Sequence, residues 1–156
     1  MQFISPSKGK LSLDEVYQDI LQFVRGAPNA TYKVIIGSDS QAREETCFVT
    51  AIIIHQVGKG ARYYYRKKHH RKITSLRQKI FFETALSLEV ASLLAKKLAD
   101  GGHHELNVEI HLDIGPTGRT KDLIREIVGM VVGSGFDAKI KPDSCGASKV
   151  ADKYTK

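Results

Sequence analysis

The sequence predicts an α/β fold in which one mixed sheet of five strands carries helices on its faces. Three observations support this expectation. Apolar, β-branched runs end at turn residues. The first three such runs follow one another across short, glycine-containing connections. Each later run is separated from its predecessor by a helical pattern. Short connections join antiparallel strands, whereas helical crossovers join parallel ones. The 156 residues suffice for one domain with a buried core, and no repeat, low-complexity tract or linker divides them.

Residues 1–30 are expected to form a helical extension to a core spanning 31–156. Ser12-Leu13-Asp14-Glu15 opens the first helix: Ser12 caps, Glu15 stands three residues on, and the acidic pair suits the positive helix end. Leu13, Val16, Tyr17, Ile20, Leu21 and Val24 then keep helical spacing until Gly26-Ala27-Pro28-Asn29. Tyr32 to Ile36 reads as a strand whose continuous apolar run suits a buried, central position, and it ends at Gly37-Ser38-Asp39-Ser40. Phe48 to Val57 is the second strand, Gly58-Lys59-Gly60 a turn, and Ala61 to His69 begins the third. A long helix follows over about Ser75 to Ala99, with a broad apolar face through Ile80, Phe81, Ala85, Leu88, Ala91, Leu94, Ala95 and Leu98. Leu106 to Leu112 is the fourth strand, closing on Asp113; Lys121 to Val132 is a helix; Phe136 to Lys141 is the fifth strand. A loop, Pro142 to Gly146, leads to a last helix from Ala147 to Tyr154.

Asp39 and Asp113 occupy matching places, each closing a strongly apolar strand. In sheets with parallel crossovers, ligands bind beyond the strand ends at the switch point. Two carboxylates brought together there repel, so either a pKa rises or a cation enters. Oxygen ligands without a Cys or His pair favour magnesium or manganese over zinc. A solvated turn aspartate is the plainer reading of either residue alone; the two together read as a site.

The order β-β-β-α-β-α-β-α resembles the ribonuclease H-like superfamily, and three stretches carry the likeness. Ser38-Asp39-Ser40 resembles its first-strand Asp-Gly-Ser element, with Ser in place of Gly. Leu112-Asp113-Ile114 resembles the Asp closing its fourth strand. Ala147-Ser148-Lys149-Val150-Ala151-Asp152 resembles its late Asn-x-x-Ala-Asp helix motif, without the usual Asn. Ile35 to Gln41 and the end from Ala147 to Lys156 are closer still to the YkuK-like family, predicted to be ribonuclease H-related. The resemblance implies a fourth carboxylate on the first core helix, where Glu83 and Glu89 are the candidates. They stand six apart and so cannot point the same way; Glu83, nearer the helix start and flanked by Phe81, Phe82 and Ala85, is preferred. The resemblance further implies that Asp39 bridges two Mg2+ or Mn2+ ions. Glu83 and Asp113 would complete one shell and Asp152 the other, with water as the nucleophile.

Lys and Arg number 24 against 17 Asp and Glu, a formal net charge of +7 that attracts polyanions, whether nucleic acid or anionic lipid. The densest basic run, Arg62 to Lys72, holds Arg66, Lys67, Lys68, Arg71 and Lys72 with three tyrosines. Such residues hold phosphates and stack bases, but charge also guards a solvated strand edge. Tyr64 is expected in the core. Arg119 and Lys121, in the loop after Asp113, could meet a phosphate, although a plain turn capped by Thr120 is the simpler account. His69-His70 and His103-His104 read as surface pairs, since neighbours on a strand point oppositely. His111, two before Asp113, shares its strand face; it could support the site or carry a proton there, but a core histidine with a hydrogen-bond partner is the favoured reading.

No apolar run is long enough to span a bilayer, and Met1 to Lys10 lacks the apolar segment of an export signal. Cys47 and Cys145 lack metal-ligand spacing. A cytoplasmic protein without a disulfide is expected. The expected function is metal-dependent cleavage of phosphodiester bonds in RNA, an RNA–DNA hybrid or branched DNA. The alternatives are a nucleic-acid-binding protein that keeps the fold without turnover and, less favoured, a hydrolase of small phosphorylated substrates.

Overall fold

The computed structural model describes residues 1–144 and 146–155, with the backbone alone at 146–149 and 152. Its strands are β1 (Gln2–Ser5), β2 (Gly9–Ser12), β3 (Tyr32–Ala42), β4 (Glu45–Gln56), β5 (Ala61–Arg71), β6 (Val108–His111) and β7 (Asp137–Lys139). Its helices are α1 (Leu13–Arg25), α2 (Leu76–Asp100), α3 (Ile124–Gly133) and α4 (Gly146–Thr155), with a short 3-10 turn at Lys121–Leu123 before α3. The sheet has seven strands rather than five, in the order β2-β1-β5-β4-β3-β6-β7.

The two added strands correct the expectation of a purely helical extension. β1 and β2 form a hairpin turned at Gly9, whose φ of 75° suits glycine, and β1 joins the edge of β5 through Ile4 and Tyr65. Four-residue strands with few apolar side chains carry little local signal, and a two-stranded hairpin is marginal alone. This one is held by docking. Phe3 is fully buried, and Lys8 pairs with Asp19 of α1, which also accepts from Tyr64 and Arg62 of β5. The expected start of α1 is present as a reciprocal capping box between Ser12 and Glu15.

β3, β4 and β5 run antiparallel, whereas β3–β6 and β6–β7 are parallel crossovers. Period-2 alternation divides the side chains between two faces. Val34, Ile36, Ile52, Ile54 and Ile110 pack against α1 and α2, while Ile35, Val49, Ala51 and Ile53 lie with Ala151 of α4 on the other face. β3 continues to Ala42, three residues past Asp39, because β4 pairs with it along that whole length. The parallel partner β6 stops at the Gly37–His111 pair. Asp39 therefore stands inside a strand, just where β3 loses one of its two neighbours.

Candidate active site at the parting of β3 and β6

Alternation along Ser38-Asp39-Ser40 sends the two serines to the α2 face and the aspartate to the face that α4 covers. Ser38 Oγ bonds Ser87 Oγ of α2 at 2.7 Å and Thr50 Oγ1 of β4 at 2.9 Å. Ser40 Oγ donates to Glu83 Oε2 at 2.5 Å. Asp39 shares a lateral row with Val49 and Lys67. Lys67 therefore stands two strands away on the same face, a span of about 10 Å.

Glu83 enters from α2 and is 8% exposed. Its carboxyl is pushed up to about 8, first by burial and further by the negative charges of Asp39 and Asp113; the Ser40 hydroxyl and the charge of Lys79 act the other way. The three carboxylates, brought from β3, α2 and the end of β6, thus share one electrostatic environment. On the α2 face, Glu83, Thr84, Ser87, His111 and Asp113 help line a cavity with about 10 Å3 open to water, room for about one molecule. Glu89, the other helical candidate, is 53% exposed at its side chain and pairs with Arg66 at 3.4 Å. Position 152 lies on α4, which covers the Asp39 face; the side chain of Asp152 lies outside the described residues. As the side chains stand, no three His, Cys, Asp or Glu among the described residues come together closely enough to hold a metal ion.

Sequence reasoning missed two polar partners at this site. Ser40 sat inside the quoted motif, but its partner depends on how α2 packs. Lys141 carried no sequence signal, yet its Nζ stands 2.8 Å from Asp113 Oδ1.

The expected nucleic-acid residues separate. Lys67 and Arg71 share the Asp39 face, whereas Arg66 and Lys68 lie on the α2 face. There Arg66 meets Glu89, and Lys68 lies 5.8 Å from the centre of the Phe82 ring. Lys72, Arg119 and Lys121 are exposed. The tyrosines just before these cations in β5 are engaged within the fold rather than open for base stacking, which corrects that reading. Tyr64 is fully buried, and Tyr65 stacks on Tyr154 of α4 at 3.7 Å with 13° between the rings. Tyr63 Oη bonds Tyr154 Oη at 2.7 Å. Thr120 makes no cap; its hydroxyl instead accepts from the Gly115 amide at 3.2 Å, closing the loop after Asp113.

The histidine pairs make surface contacts, His69 with Glu45 at 2.9 Å and His103 with Glu105 at 3.6 Å. His111 is buried as expected. Among the described residues neither ring nitrogen makes a hydrogen bond, and the nearby Glu109 carboxylate, at 3.5 Å, is too long for a strong one. Burial holds its imidazole below the ordinary histidine value, against the pull of Glu109.

Among the described residues, no helix is long and apolar enough to cross a membrane. No solved structure matches the chain. The chain is 41% identical, over 168 aligned positions, to the "Uncharacterized protein YkuK" of Bacillus subtilis (strain 168), covering 99% of this chain and 96% of that protein. The profile of the family described as "Ribonuclease H-like" matches residues 15–156. With the β5-β4-β3-β6-β7 core and the carboxylates at its parting strands, these similarities show that the chain belongs to the ribonuclease H-like family.

Proposed function

We propose that this chain is a divalent-metal-dependent nuclease that hydrolyses phosphodiester bonds in nucleic acid. One observation carries the reading: Glu83 of α2 is buried close enough to Asp39 of β3 and Asp113 beyond β6 that their negative charges add to burial in raising it to about 8. A nucleic-acid-binding surface gains nothing from gathered carboxylates, because they repel phosphate. The donor set fits a hard cation such as Mg2+ or Mn2+: all oxygen, no cysteine, and one carboxyl buried beside a neutral hydroxyl. Asp39, Glu83, Asp113 and, by family resemblance, Asp152 would hold it. Such ions neutralise charge developing on the attacking and leaving oxygens of a phosphodiester.

The chain's own residues do the rest. Ser40 orients the Glu83 carboxyl. The hydroxyls of Ser38, Ser87 and Thr50 fix α2 against β3 and so hold Glu83 at its height on the sheet. Lys67, in the row of Asp39, draws the phosphate backbone toward the carboxylates.

The competing account is a family member that binds nucleic acid without cutting it. It is favoured by the absence, among the described residues, of three ligands already gathered. Asp39→Asn and Asp113→Asn separate the two. Each should lower cleavage by more than about 100-fold, the upper end of what loss of even a supporting group around a metal costs. Each should leave binding equal or tighter. Cleavage retained in both variants, from clean protein, sinks the nuclease reading.

A further inference from the structure

Lys141 is placed from its backbone outward. Beyond β7 the parallel pairing continues, with the Leu112 amide donating to Lys139 O at 2.9 Å and the Lys141 amide to Ile114 O at 2.8 Å. Ser144 Oγ, buried, donates to Leu112 O at 2.8 Å and ties the following loop to the same segment. The lysine stem lies on Gly115. A Cβ added there would come within 2.9 Å of Lys141 Cβ and 3.5 Å of its Cδ, so the approach requires glycine. Held at backbone and stem, the side chain delivers its ammonium to Asp113 Oδ1 at 2.8 Å while remaining 55% exposed. Arg66 and Arg77, by comparison, are engaged by Glu89 and Glu126 away from the carboxylates.

An ammonium and a divalent cation on the same carboxylate repel one another and compete for its charge. A metal ion at Asp113 therefore loosens the hold on Lys141, whose anchored stem keeps the ammonium within a few ångströms. The anion that arrives there with substrate is a phosphate. We propose that Lys141 is a phosphate-binding residue of this site. It is counter-ion to Asp113 in the free protein and holds a non-bridging phosphate oxygen once cation and nucleic acid are in place. The proposal rests on the nuclease reading of the carboxylates. It makes metal and nucleic acid reciprocal partners, each favouring uptake of the other.

The test compares wild type with Lys141→Met, which keeps the stem, Lys141→Arg, which keeps the charge, and Gly115→Ala, which displaces the stem. Mn2+ is titrated calorimetrically into protein free of nucleic acid, and a labelled RNA–DNA hybrid is then bound over a range of salt. Lys141→Met should bind Mn2+ about two- to fivefold more tightly, the range set by one exposed ion pair. It should also bind the hybrid more weakly, with the salt slope reduced by about one contact. Gly115→Ala should shift both readouts the same way, and Lys141→Arg should follow wild type. If wild type takes Mn2+ but Lys141→Met takes it no more tightly and keeps the same salt slope, or if no hybrid binds, the proposal falls alone. If wild type takes no Mn2+ with or without hybrid, the nuclease reading falls and the proposal with it.

Discussion

Glu83 holds a carboxyl raised to about 8 in the folded chain, against an ordinary value of 4.5. The sign of its effect follows. Between those values the folded state binds more protons than the unfolded state, so this group's favourable share of stability is complete below pH 4.5. It is lost as pH rises through about 8. The loss is on the order of 5 kcal/mol for such a shift. Glu83→Gln, which cannot ionise, should flatten that decline, and urea denaturation of both proteins from pH 5 to 9 measures it. Parallel slopes would mean that Glu83 is not protonated in the fold. The same proton must leave before a cation can be held, so Mn2+ uptake should strengthen from pH 6 to 8 in wild type and lose that dependence in Glu83→Gln. Asp39 and Asp113 stood out in the sequence because each follows an apolar run, although β3 continues through Asp39 to Ala42 and only its pairing with β6 stops, at Gly37. The choice between Glu83 and Glu89 was not, since both sit on one long helix and only packing decides. Residues Ile80, Thr84 and Ser87 turn inward with Glu83, while Glu89 faces solvent. Lys141 was illegible because its contact depends on the β6–β7 register.

Among the elements, α4 is the one whose placement matters most, for it carries position 152 across the face that holds Asp39. Its described anchors include Ala151, fully buried, and Tyr154, stacked on Tyr65 and bonded to Tyr63. An aromatic pair of this kind contributes about 0.5–1.5 kcal/mol beyond the area it buries. Tyr154→Ala should therefore lower stability by about 1–3 kcal/mol and weaken Mn2+ binding, whereas Tyr154→Phe, keeping the ring, should do little of either. Denaturation and calorimetry together check this; metal affinity unchanged in Tyr154→Ala would mean that α4 contributes nothing to the site. The helices and the five core strands could be read from periodicity and turn residues. The tyrosines of β5 were read only by alternation, which identified Tyr64 as core. It could not show that α4, distant in sequence, takes the neighbouring rings.

At the scale of the molecule, the order of strands was legible because crossovers and hairpins leave different connection lengths. The first hairpin was not, because its stability lies in what it touches. Phe3 fills the core beside α1, Ser12 caps that helix, and Lys8 meets the buried Asp19. The family match begins at residue 15, downstream of every one of those contacts. A chain trimmed to 15–156 should lose about 3 kcal/mol or more from the cap and the buried ring alone. It would also leave Asp19 short of one cation and uncover the β5 backbone that Ile4 now pairs. A urea midpoint equal to that of the full chain would refute this. The family profile begins at residue 15, although the Bacillus subtilis relative aligns over 99% of this chain, and a folding unit ends where its last necessary contact is made. In this protein the profile's boundary and the folding boundary differ by the length of a hairpin. An expression boundary drawn from the profile would yield a protein whose failure to cut nucleic acid said nothing about its carboxylates.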